Sequence, residues 1–265
     1  METDILTKKR IQECLSEGKR FDERKLDEFR EIVIERGISK NAEGSVRVKL
    51  GKTEVYVGIK MDIGEPYPDS QDSGNLMVTV ELLPLSSDRF DYGPPGIEAI
   101  ELGRIVDRGI RESKVIDLKK LCIEEGKKVW TVFVDIYSIN NDGNLIDAAG
   151  IGAIAALASA KIPKYDEETG KADHGEWTKN SIPLSKDLIF PTTVYKVGES
   201  LIVDPTIEEE DASEARITFG LSNGYLHSMQ KGNSKELKIE EINEAIDLAE
   251  KAWKKVMQKA EKYLK

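Results

Sequence analysis

Cysteine is nearly missing from this chain. Its 265 residues hold two, Cys14 and Cys122, far apart and with no Cys/His spacing that suits a metal. That excludes a disulfide framework and a structural zinc module, and it points to a reducing cytoplasm. Histidine is equally scarce at two residues, and aromatics make up 6%. No apolar run is long enough to cross a bilayer, and no secretory leader is visible, so neither secretion nor membrane contact is expected. An excess of positive charge is lacking as well. The net charge is −10. Phosphate affinity comes from Lys and Arg, which excludes a globally basic nucleic-acid binder. Any RNA contact must then come from a local basic stripe, or be shared with a more basic partner. What the chain does have is charge of both signs, 33% of residues, on one large or two intimately joined domains.

Along the sequence, Ile5, Leu6, Ile11, Cys14 and Leu15 can share a helix face, and Gly18 ends that helix. Strand-like stretches follow at 31–35, 45–50 and 53–60, a meander of half-buried antiparallel strands, and again at 76–83. Gly93-Pro94-Pro95-Gly96 breaks the chain before a helix from Ile97 to Ser113. Residues 127–139 read as a strand. Residues 147–161 read as an Ala/Gly-rich helix with almost no polar face, hence fully buried. The polar stretch 164–180 reads as an exposed excursion. Short strands resume at 189–195, 200–204, 216–222 and 225–230, and an amphipathic helix closes the chain over 238–264. The order of elements defines an α+β protein. The expected organisation is an N-terminal helix (1–18), a first half (19–163), the excursion (164–180) and a second half (181–265).

Several motifs recur in one order. Arg20-x-Asp22-x-Arg24 opens the series, with Arg30 beyond it. Leu50-Gly51-x-Thr53-x-Val55 and Gly74-Asn75-Leu76 follow, then Val80-Glu81-Leu82-Leu83-Pro84-Leu85 and Gly93-Pro94-Pro95. Ala99-Ile100-Glu101-Leu102-x-Arg104-x-Val106-Asp107-Arg108-x-x-Arg111-x-Ser113 is the most specific, and Val203-Asp204-Pro205-Thr206 through Phe219-Gly220 completes the set. In this order the chain resembles the RNase PH family over nearly its whole length. It is most similar to the family's non-catalytic subunits of the archaeal exosome. The resemblance implies an RNase PH-like fold (ribosomal protein S5 domain 2-like), with two similarly built halves.

It also implies where chemistry would be sought. The family's catalytic carboxylate falls at Arg216, counting forward from Asp204, and a cation cannot act there as a general acid or a metal ligand. The family's phosphate-binding Arg turn is replaced by Asp142-Gly143-Asn144-Leu145-Ile146-Asp147, where Asp147 at a helix start would repel phosphate. The acidic run Glu208–Asp211 then reads as a solvated loop, with Arg216 available to pair with it. Arg104, Arg108 and Arg111 lie at i, i+4, i+7 on one helix face, with Asp107 too far around the helix to neutralise them. By resemblance, Arg104 and Arg108 face the channel of a ring and hold the RNA backbone, and Arg111 is the third candidate. The implied partners are a catalytic RNase PH-like subunit, alternating with this chain in a hexamer of three each, together with cap subunits carrying S1 or KH domains, and RNA. No cofactor and no metal is expected.

Two alternatives stand beside this reading. An autonomous phosphate-dependent 3′→5′ exoribonuclease needs a carboxylate near Arg216 and a phosphate-binding Arg near Asn144. A dinucleotide enzyme could be read into Gly150-x-Gly152-x-x-Ala155, but those glycines fall inside the helix rather than in a strand-to-helix turn. His174, His227, Tyr165 and Trp177 are isolated and carry no assigned role.

Overall fold

The computed structural model describes residues 3–264. Met1 and Glu2 of the expected N-terminal helix, and Lys265 of the second half, lie outside the described residues. Helix α1 (Ile5–Ser16) is capped by Asp4, whose carboxylate accepts from the Leu6 and Thr7 N–H groups at 2.9 Å. Its apolar face is narrower than the sequence suggested. Ile11 and Leu15 pack on Tyr195, Val197 and Ile202, while Ile5 and Leu6 are exposed.

Alternating residues build the first sheet. Strands β1 (Ile32–Arg36), β2 (Gly44–Leu50) and β3 (Thr53–Gly64) form the antiparallel meander. Gly51, at φ +60°, closes the tight β2–β3 turn, a conformation a side chain would strain. Strand β4 (Asn75–Leu82) then leads through helix α2 (Ile97–Ser113) and the short β5 (Cys122–Glu124) to β6 (Lys128–Asn140). Because a helix carries the crossover, β4 and β6 run parallel, with Val78 beside Val134 and Val80 beside Ile136. The order is β1-β2-β3-β6-β4, so β4 is an edge strand.

Helix α3 (Leu145–Ser159) starts two residues earlier than its sequence suggests and is buried on all sides through Leu157. It lies between the first sheet and a second one. A Cβ on Gly152 would sit 2.7 Å from Val57 Cγ2 in the first sheet, and one on Gly150 would sit 2.1 Å from Pro191 Cγ in the second. The two glycines therefore set the close approach of this helix to both layers, and they leave no phosphate-binding turn for a dinucleotide.

The excursion is not irregular. Strands β7 (Lys161–Asp166) and β8 (Lys171–Ser181) form an exposed two-stranded hairpin turned at Gly170. Strands β9 (Phe190–Val197), β10 (Ser200–Val203), β11 (Ala215–Ser222) and β12 (Tyr225–Gly232) make the second, wholly antiparallel sheet, in the order β10-β9-β11-β12. Between β10 and β11 lies helix α4 (Ile207–Ala212). Helix α5 (Ile239–Leu264) covers the second sheet with Ala245, Ala249, Trp253, Val256 and Ala260 buried. No helix among the described residues is long and apolar enough to cross a membrane.

Candidate functional site

The acidic run predicted as a solvated loop is helix α4, and it is tightly held. Thr206 accepts from the Glu209 N–H, and the Glu209 carboxylate accepts in return from the Thr206 N–H at 2.9 Å. Glu209 is buried and pairs with buried Arg20, whose other N–H groups donate to the Val203 and Asp204 carbonyls at 3.0 and 2.8 Å. Asp204 itself sits at φ +47°. Its carboxylate takes Arg30 at 2.7 and 2.9 Å, Arg24 at 3.1 Å and the Asn144 amide at 3.0 Å. The three arginines of the opening motif thus form a strut. They tie the segment before β1 to the β6–α3 turn and to the β10–α4 turn. Sequence reading recognised the motif without seeing its partners, because they lie roughly 110 to 190 positions away.

Asp147 does not face a phosphate. It lies in the first turn of α3 and points inward, fully buried. Its carboxylate takes the Thr193 hydroxyl at 2.7 Å, the Thr193 N–H at 3.1 Å and the Asn144 amide at 3.0 Å. Burial outweighs these bonds and pushes its carboxyl up to about 7. What approaches the N-terminus of α3 from outside is Glu210. Its Oε2 accepts from the Asn144 N–H at 3.0 Å and its Oε1 from the Tyr195 hydroxyl at 3.0 Å. An internal carboxylate therefore occupies the place where a helix N-terminus would attract an external anion. Burial raises the Glu210 carboxyl above its usual range.

Arg216 does not pair with the acidic run. Its Nη2 donates to Glu101 of α2 at 2.6 Å, and its side chain is mostly buried. It shares a cleft of about 270 Å³ with Glu98, Glu101, Glu210 and Asp211. The other cation there, Arg89, forms a two-pronged pair with Asp211 at 2.7 Å on each side. Although burial opposes it, the bonds from Arg89 and Thr3 bring Asp211 down to about 2. Four carboxylates thus face two guanidiniums that are both already engaged. Such a cleft repels phosphate, and it offers no free cation to a leaving oxygen. Among the described residues, no group of three or more His, Cys, Asp or Glu is arranged to hold a metal ion.

The α2 stripe divides in two. Arg104 and Arg108 are exposed, and neither has an ion-pair or hydrogen-bond partner among the described residues. Opposite them Leu102, Ile105 and Val106 are buried. Arg111 is different, because Asp107 does reach it. The i, i+4 spacing stacks the two side chains, with Nη2 2.8 Å from the carboxylate and 3.1 Å from the Leu76 carbonyl. The 107/111 spacing carried that signal in the sequence.

Two segments of the chain match the two domains of one known family, in order. Residues 28–163 match the model of the 3′ exoribonuclease family, domain 1, and residues 187–252 match domain 2. The chain belongs to the 3′ exoribonuclease (RNase PH) family. It is 49% identical over 242 residues to the exosome complex component Rrp42 of Thermococcus onnurineus, covering 90% of this chain and 88% of that one. It is 42% identical to the Rrp42 component of Methanothermobacter thermautotrophicus, covering 92% and 90%. Among solved structures, a chain of the Archaeoglobus fulgidus exosome with RNA bound to the active site superposes with a TM-score of 0.87 at 40% identity. That match covers 97% of this chain and 99% of the other.

Proposed function

We propose that this chain is a non-catalytic, RNA-holding subunit of an archaeal-type exosome ring. The reading is carried by how its cations are distributed. In the cleft where the family's chemistry is sought, Arg89 and Arg216 are paired with Asp211 and Glu101. On the exposed face of α2, Arg104 and Arg108 have no carboxylate partner among the described residues. The first arrangement suits architecture, and the second suits a phosphate backbone, because guanidinium binds phosphate bidentately without reading bases. The high identity to Rrp42 components supports the same reading. In this account the chain alternates with a catalytic RNase PH-like partner, three of each, in a cytoplasmic hexamer capped by subunits with S1 or KH domains. The partner supplies the acid and the phosphate site. This chain builds part of the channel and shapes the neighbouring active site during 3′→5′ phosphorolysis.

The test is RNA retention by the assembled ring across a salt series. Replacing Arg104 and Arg108 together with Glu leaves the buried face of α2 untouched, so assembly should survive. RNA affinity should fall similarly for different base sequences. The log–log salt slope should become shallower by roughly one unit or less for each phosphate no longer neutralised. Unchanged affinity and slope in rings of equal mass would reduce this stripe to a solvated helix face.

A further inference from the structure

The segment between β4 and α2 leaves a second cleft, of about 750 Å³, beside the α2 N-terminus and adjoining the first at Glu98. Three apolar side chains stand in solvent on this segment. Tyr92 is 97% exposed, Ile97 83% and Leu85 78%. Pro84, Pro94 and Pro95 add rigid apolar surface. Exposed apolar side chains grouped in this way, Tyr92 and Ile97 both lining the cleft, mark an interaction site. Its floor is Thr79–Leu82 of β4, a strand flanked by β6 on one side and by α2 on the other.

The charge around it is of one sign. Glu81, Asp91 and Glu98 line the cleft, and none has an ion-pair or hydrogen-bond partner among the described residues. The one guanidinium in the lining, Arg89, is engaged by Asp211. The acidic character continues across the sheet. Burial, with Glu81 beside it, raises the Asp135 carboxyl above its usual range. Elsewhere in this chain exposed carboxylates are commonly paired with lysines, as at Lys119–Asp72 and Lys127–Glu124.

We propose that this cleft docks an extended segment of a different polypeptide, one carrying apolar side chains flanked by Lys or Arg. The exposed apolar residues offer burial, and the three carboxylates select positive charge. RNA is disfavoured because the same carboxylates repel phosphate. A second copy is disfavoured because a symmetric contact would bring acid against acid in a chain of net charge −10. The proposal deepens the ring reading and rests on it. It sets a protein contact at the N-terminal end of α2, next to the RNA contact of Arg104 and Arg108 further along the helix.

The test uses the full chain and the catalytic RNase PH-like subunit from the same source. The dissociation constant of the pair is measured for the wild type, for Glu81→Lys/Asp91→Lys/Glu98→Lys, and for Tyr92→Ser/Ile97→Ser. Circular dichroism confirms the fold of each. Both variants alter solvent-facing side chains, so each should fold. The charge reversal should weaken association at least about tenfold and abolish its salt dependence, whereas the serine variant should weaken it and keep that dependence. A benzophenone amino acid at position 92 should cross-link to a peptide of the other subunit that contains Lys or Arg. Wild-type affinity in both variants, or a cross-link to RNA or to a second copy, would overturn the docking proposal while leaving the ring reading intact. No association of the wild-type pair at all would overturn both.

Discussion

In the proposed reading Arg216 stands where the family's chemistry requires a carboxylate, and its neighbours suit a cation. Glu101 pairs with it, and Glu210 turns away to cap α3 and bind Tyr195. Arg216→Asp should therefore yield no phosphorolysis. It would place a fifth carboxylate in the cleft and leave Glu101 unpaired, with the α3 N-terminus still occupied. The variant should also be less stable by on the order of 1–3 kcal/mol, below the cost for a fully buried pair because Glu101 reaches solvent. A release assay for nucleoside diphosphates and a urea titration check the two parts. Asp147 makes a different demand. Its folded-state carboxyl is raised to about 7 from an ordinary value near 3.8, so the folded state holds a proton there that the unfolded state has released. Its contribution to stability is complete below about pH 4 and is lost as pH rises through about 7. Asp147→Asn should flatten the urea midpoint against pH between 4 and 7 relative to wild type. Parallel curves would show that Asp147 is ionised in the folded protein.

At the scale of elements, glycine and helix ends carry most of what sequence can report. The Gly93–Gly96 break and the outward arginines placed α2 at Ile97–Ser113, as found. The apolar run of α3 announced a buried helix, and its glycines proved to be contact points. Gly150→Ala should destabilise the protein by about 1–3 kcal/mol. That outcome opposes the ~1 kcal/mol by which Ala favours a helix, because its Cβ would meet Pro191 at 2.1 Å. A higher unfolding midpoint for this variant would show that β9 can yield. Helix α4 escaped sequence reading because three successive glutamates suggest solvent. The Thr206-x-x-Glu209 capping box was the signal that could have found it. The β7–β8 hairpin escaped because β8 is mostly polar and exposed and Pro163 interrupts β7, so neither shows the alternation that marks a half-buried strand.

On the scale of the whole molecule, layers were legible and long-range charge pairing was not. Alternation and apolar runs identify which segments are strands or buried helices, since burial acts residue by residue along the chain. Nothing local tells Arg20 that its partner is Glu209, or Arg216 that its partner is Glu101, and these pairs join segments that lie far apart in the sequence. The guanidiniums of the cleft are paired internally, whereas Arg104 and Arg108 on α2 are exposed and have no partner among the described residues. The central claim is that this fold holds RNA and leaves phosphorolysis to another chain. The most direct measurement is nucleoside diphosphate release from labelled RNA with phosphate and Mg²⁺, by the pure chain alone and after addition of the catalytic RNase PH-like partner. The account predicts none from the chain alone, and release by the pair that exceeds that of the partner alone. Sustained turnover by the pure, partner-free chain would contradict it.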